Sequence, residues 1–144
     1  MKLVRESLNE FHQTGDPLKS LELGKYSNFV FKVKNILSEC LHEMSITNPR
    51  YKNIEKEVTF IYSNNWIVIH FPDTYHNVSS VLHECLNFSR DIKADSYYDR
   101  IRDILDKENL WCSVNLTYLN VDISQKMINM GLDTKNIYLI YFNK

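Results

Sequence analysis

Glycine is nearly absent from this chain: Gly15, Gly24 and Gly131 are the three in 144 residues, and they lie far apart. Loops that cradle phosphate need clustered glycines so that backbone N–H groups can approach the ligand, so P-loop and dinucleotide-binding chemistry is excluded. Cysteine is also sparse. Cys40, Cys85 and Cys112 are odd in number, widely spaced and set in apolar patterns, which reads as reduced, buried thiols rather than a disulfide framework. An excess of one charge is missing too: 17 Lys and Arg stand against 18 Asp and Glu, a net charge of −1. No overall basic field therefore argues for nucleic acid or an acidic membrane face. No apolar run approaches the length of a membrane span, and residues 1–6 lack the apolar core of a signal peptide, so neither membrane insertion nor signal-directed secretion is expected.

What remains is an ordinary globular composition, 44% hydrophobic and 24% charged, in a length that suits one domain. Nine tyrosines and many asparagines fit an AT-rich coding sequence or a polar, adhesive surface equally well. The clearest sheet signal is Val58 to Phe71. Val58, Phe60 and Tyr62 alternate with Thr59 and Ile61, Ser63-Asn64-Asn65 makes a turn, and Trp66 to Phe71 runs back, which predicts a β-hairpin. The strongest helix signal is Tyr26 to Met44, where Phe29, Val30, Val33, Ile36, Leu37, Cys40, Leu41 and Met44 recur at spacings of three and four. A second helix is predicted over Tyr75 to Asp91. A third runs from a Ser96-x-x-Asp99 capping pattern to Lys107. Trp111 to Val121 alternates as a strand, with Cys112, Val114, Leu116 and Tyr118 inward. Asp122 or Ser124 should start a short helix closed at Met130-Gly131, and Ile137 to Phe142 is apolar on both faces, as a central strand would be. The expected fold is a single α+β domain. Its sheet has about four strands, mixed or antiparallel, formed by the hairpin plus two later strands and packed by helices mostly on one face.

Residues 1–24 read as a helical leader ahead of an α+β domain over 25–144. Lys2 to Phe11 has helical spacing, Gly15-Asp16-Pro17 breaks it, and Leu18 to Leu23 makes one more turn that Gly24 closes. The run Val4-Arg5-Glu6-Ser7-Leu8-Asn9-Glu10-Phe11, then Asp16-Pro17, then Leu21-x-Leu23-Gly24, resembles an N-terminal V-R-E-x-L-x-E-F, D-P, apolar-x-apolar-Gly motif of tailed-bacteriophage proteins. Glu22 departs from the small residue usual at that place. The resemblance implies a phage origin and names no activity. It places the chain in the infected host cell's cytoplasm or in the virion.

Two segments share a pattern: Val33-x-x-Ile36-Leu37-x-Glu39-Cys40-Leu41 and Val78-x-x-Val81-Leu82-x-Glu84-Cys85-Leu86, and the same offset carries Trp66 onto Trp111. Two amphipathic helices of one period explain this more simply than a duplication, because the residues between do not match.

Few side chains carry chemistry. His70, Asp73, Tyr75 and His76 cluster where a strand ends and a helix begins, with His83 on the helix that follows. That grouping suits a general acid/base site, and it suits a strand-end histidine with Asp73 as a helix cap. His76 and His83 lie about 10 Å apart at helical rise, too far to ligate one metal between them, and His83-Glu84-Cys85 lacks the second cysteine motif of zinc deaminases. No metal and no cofactor is expected. Lys32, Lys34, Arg50, Lys52 and Lys56, with Tyr26, Tyr51 and Tyr62, are interrupted by Glu39, Glu43, Glu55 and Glu57, so a nucleic-acid partner is not expected. The expectation is a non-enzymatic, phage-encoded protein that binds another protein or itself, as a virion component or host-interaction factor. Trp66, Tyr75 and Trp111 are its candidate contact residues. The alternative is a small hydrolase or nucleic-acid-processing enzyme built on His70, Asp73, His76 and His83.

Overall fold

The computed structural model describes residues 2–5, 17–63, 65–87, 96–117 and 119–144, with backbone only at 2–5, 17–27 and 87. The elements are β1 (Lys2–Arg5), α1 (Pro17–Thr47), α2 (Ile54–Glu57), β2 (Thr59–Tyr62), β3 (Trp66–His70), α3 (Val78–Asn87), α4 (Tyr97–Lys107), β4 (Trp111–Asn115), α5 (Val121–Asn129) and β5 (Ile137–Asn143). The sheet order is β1-β2-β3-β5-β4. Pairings β2–β3, β3–β5 and β5–β4 are antiparallel, and β1 joins β2 in parallel at the edge. The expected hairpin is present, with Tyr62 opposite Ile67 and Thr59 opposite His70. The two later strands complete an α+β sheet, and β5 is central as its two apolar faces require.

Strand alternation sorts the side chains into two cores. Phe60, Tyr62, Ile67, Ile69, Tyr138, Ile140 and Phe142 face the buried stripes of α1, α3 and α4. Ile61, Trp66, Val68, Ile137 and Leu139 point the other way and are covered by Ile123 and Met127 of α5 and by Leu119. Among the described residues, helices therefore lie mostly on one face, with α5 on the other. This accounts for β3 and most of β5 being buried on both sides.

Several local expectations need correction. Lys2–Arg5 is a strand rather than the start of a helix. Leu3 and Val4 suit either state, and pairing with β2, some 57 residues away in sequence, decides between them. Gly24 does not stop a helix, because α1 runs unbroken from Pro17 to Thr47, so the boundary at 24/25 falls inside it. An interior glycine costs about 1 kcal/mol relative to alanine, which the long apolar stripe beyond it outweighs. β4 ends at Asn115, and α5 is capped by Asn120, whose Oδ1 accepts from Ile123 N at 2.8 Å, rather than by Asp122 or Ser124. Asp73 caps nothing, since α3 begins only at Val78. Ser96 does cap α4, accepting from Asp99 N at 3.0 Å. Residues 1, 6–16, 64, 88–95 and 118, which include parts of the expected leader helix, hairpin turn, second helix and Trp111–Val121 strand, lie outside the described residues.

Scarce glycine has a counterpart in the backbone. Left-handed φ occurs at Gly131 and, among described non-glycine residues, at Asn77, Asn109 and Asn136. Asparagine tolerates this region better than other side-chain-bearing residues, so some of the chain's asparagine serves turns rather than surface.

Candidate functional site

The five residues of the predicted acid/base cluster separate in space. His70, on β3, faces the α5 side with Thr59 and Ile137 as its register partners. Its ring Nε2 lies 3.2 Å from Asp133 Oδ1. Tyr75 is buried in the opposite core and donates to Glu57 Oε1 at 3.0 Å. His83 also lies on that second side, where its Nδ1 meets the Tyr138 hydroxyl at 2.8 Å. Asp73 and His76 are exposed, and the His76 carbonyl accepts from Arg50 Nη2 at 3.4 Å. The sheet thus stands between His70 and His83, and each ring has its own partner.

The remaining candidates are also placed by burial. Trp66 and Tyr75 sit in the cores, both 6% exposed, whereas Trp111 on edge strand β4 is 57% exposed. Tyr51 and Tyr62 are buried, so neither offers a face for base stacking. Among the described residues, no three His, Cys, Asp or Glu side chains converge as a metal ion would require.

Two features stand out that the sequence did not single out. The first is an apolar surface on the α5 side. Val121 and Ile128 are 78% and 55% exposed, and a spacing of seven puts them on one face of the helix, about 10 Å apart. Met130 and Trp111 add further exposed apolar area.

The second is a pair of thiols. Cys40 on α1 is fully buried, Cys85 on α3 is half-buried, and the two thiols are close enough to shift one another's acidity. The Cys85 S–H donates to Glu43 Oε2 at 3.8 Å, and Tyr97 on α4 bonds the same carboxylate. Glu43 and Tyr97 line an open groove of ≈ 610 Å³ along α1, together with Glu39, His42, Ile46 and Glu55. His42 Nδ1 lies 3.1 Å from Glu55 Oε1 across it. The interaction with Cys40 lowers the Cys85 thiol below its ordinary value, against the opposing effects of burial and Glu43. The same interaction, with burial, raises Cys40. Burial and the bond to Glu43 push the Tyr97 phenol up. The third thiol, Cys112, is half-buried, bonded to Tyr98 and raised chiefly by burial. The expectation of three buried thiols thus holds in full only for Cys40.

A signal for the pair was present in the sequence. Cys40 and Cys85 occupy equivalent places in the two matching Glu-Cys-Leu segments, each on the inward stripe of its helix, and α1 packs on α3. Two stripes of the same period that face one another bring like positions together. No protein-family model matches the chain, and neither does any curated protein or solved structure.

Proposed function

We propose that this chain is a non-enzymatic, phage-encoded protein that binds another protein, with the α5 side of its sheet as the contact face. The observation that carries this is the exposure of Val121 and Ile128 on one helical face, with Met130 and Trp111 exposed as well. Apolar side chains gathered this way stabilise an interface when covered. An exposed tryptophan is a residue type enriched among binding hot spots. The phage origin rests on the likeness of residues 4–24 to the leader motif of tailed-bacteriophage proteins. The enzyme alternative needs His70, Asp73, His76 and His83 to converge on one reacting atom, and their separation across the sheet gives that reading no support.

The test is a photo-crosslinking amino acid placed at Ile128, with Asp103 on the exposed face of α4 as control, combined with sedimentation of the purified chain over a range of concentrations. Discrete adducts from position 128 that are absent from position 103 are expected. A concentration-dependent dimer that Ile128→Asp dissociates would identify the partner as a second copy. Equal or absent crosslinking at both positions, with a monomer throughout, overturns the assignment of this face.

A further inference from the structure

Protein binding through α5 leaves the thiol pair on the other side of the sheet unused. We propose that Cys85 and Cys40 form a thiol–disulfide exchange site for small disulfides of the glutathione type. Cys85 is the attacking sulfur, Cys40 the resolving sulfur and Glu43 the acceptor of the Cys85 proton.

Three aspects of the geometry carry this. The half-buried Cys85 can be reached from outside, whereas Cys40 lies behind it with no exposed surface. The order of attack is thereby fixed, because access governs which sulfur reacts first. The Cys85 S–H points to a carboxylate oxygen 3.8 Å away, and that carboxylate lines an open groove through which its proton can exchange with water. Finally, the Cys85 sulfur meets Glu43, which lies one helical turn from Cys40 on the same face of α1, so the resolving step starts from two neighbouring thiols.

The step balances without another oxidant. The Cys85 proton passes to Glu43, and the thiolate attacks one sulfur of the external disulfide. That S–S bond breaks, one thiolate leaves and takes up the proton, and a mixed disulfide remains on Cys85. Cys40 then attacks the Cys85 sulfur, its proton goes to the second departing thiolate, and a Cys40–Cys85 bond forms. Two protein thiols are oxidised and one small disulfide is reduced to two thiols. The new bond ties α1 to α3.

The test uses the full native chain incubated with oxidised glutathione, followed by intact mass measurement and peptide mapping. The expected product is lighter by two hydrogens, carries a Cys40–Cys85 crosslinked peptide and has Cys112 unmodified. Cys40→Ser should instead retain glutathione on Cys85, and Cys112→Ser should behave as the wild type. A stable glutathione adduct on wild-type Cys85, modification confined to Cys112, or no reaction would overturn the proposal. The wild-type map decides by itself if a variant fails to fold.

Discussion

Asn136 shows how much one side chain can hold. Its φ is +53°, and its Nδ2 donates to the carbonyls of Pro72 and Tyr75 at 2.9 and 2.8 Å. Its own carbonyl accepts from Phe71 N at 3.0 Å. The turn after β3 is thus fastened to the start of β5 by a residue that also bends the chain. Alanine at this place is left-handed at a cost of about 1–2 kcal/mol and strands two carbonyls at about 1 kcal/mol each. Glycine keeps the backbone and loses only the bonds. Urea denaturation should therefore rank the wild type above Asn136→Gly and that above Asn136→Ala, with the alanine variant down by about 2–4 kcal/mol. Equal losses in the two variants would show that the left-handed backbone contributes nothing. No local pattern marks Asn136. Its partners lie more than 60 residues away in sequence, so its importance is visible only once the strands are paired.

At the scale of elements, two helices end in the same way with different residues. After α5, Gly131 N donates to Ile128 O at 2.9 Å and Leu132 N to Met127 O at 3.0 Å. After α4, Asn109 N donates to Asp106 O at 3.1 Å and Leu110 N to Leu105 O at 2.9 Å. Both are Schellman closures around a left-handed residue, one glycine and one asparagine. A Cβ added at Gly131 would meet nothing within 4 Å, so the cost of Gly131→Ala is backbone alone, about 1 kcal/mol. Asn109→Gly should be neutral or gain up to about 1 kcal/mol. Thermal unfolding of the two variants, shifting in opposite directions or with Asn109→Gly unchanged, is the expected result. A marked loss at Asn109 would mean that its side chain contributes something the backbone pattern does not include. The Met130-Gly131 stop, the Ser96 cap and the hairpin were legible in the sequence because each depends on neighbours within a few residues. The β1 strand and the full length of α1 were not, because the first needs β2 and the second needs the packed stripe beyond Gly24.

For the whole molecule, β2, β3 and β5 each contribute to both cores, and β5 is the strand that joins β4 to the rest of the sheet. Its Tyr138, Ile140 and Phe142 belong to one core, Ile137 and Leu139 to the other. Neither layer can lose β5 without the other, so the two should unfold together. Trp66 emission reports the α5 layer, and far-ultraviolet dichroism reports chiefly the helices opposite. Their denaturant transitions should coincide, and separate midpoints would show that the layers are independent. The same geometry explains why the candidate site was only half legible. Sequence neighbours such as His70 and Tyr75 fall on opposite sides of the sheet, whereas Cys40 and Cys85, 45 positions apart, meet because their helices pack. The placement of β5 also sets an order of events during synthesis. A strand at residues 137–143 that seats β4 on one side and β3 on the other keeps β4 without a sheet partner until it leaves the ribosome. Helices α1, α3 and α4 can collapse on the hairpin earlier, so the nascent chain first carries a half-built sheet with one bare face and one open edge. Its exposure to aggregation is greatest in that interval, and ends when the last strand slides between the two that wait for it.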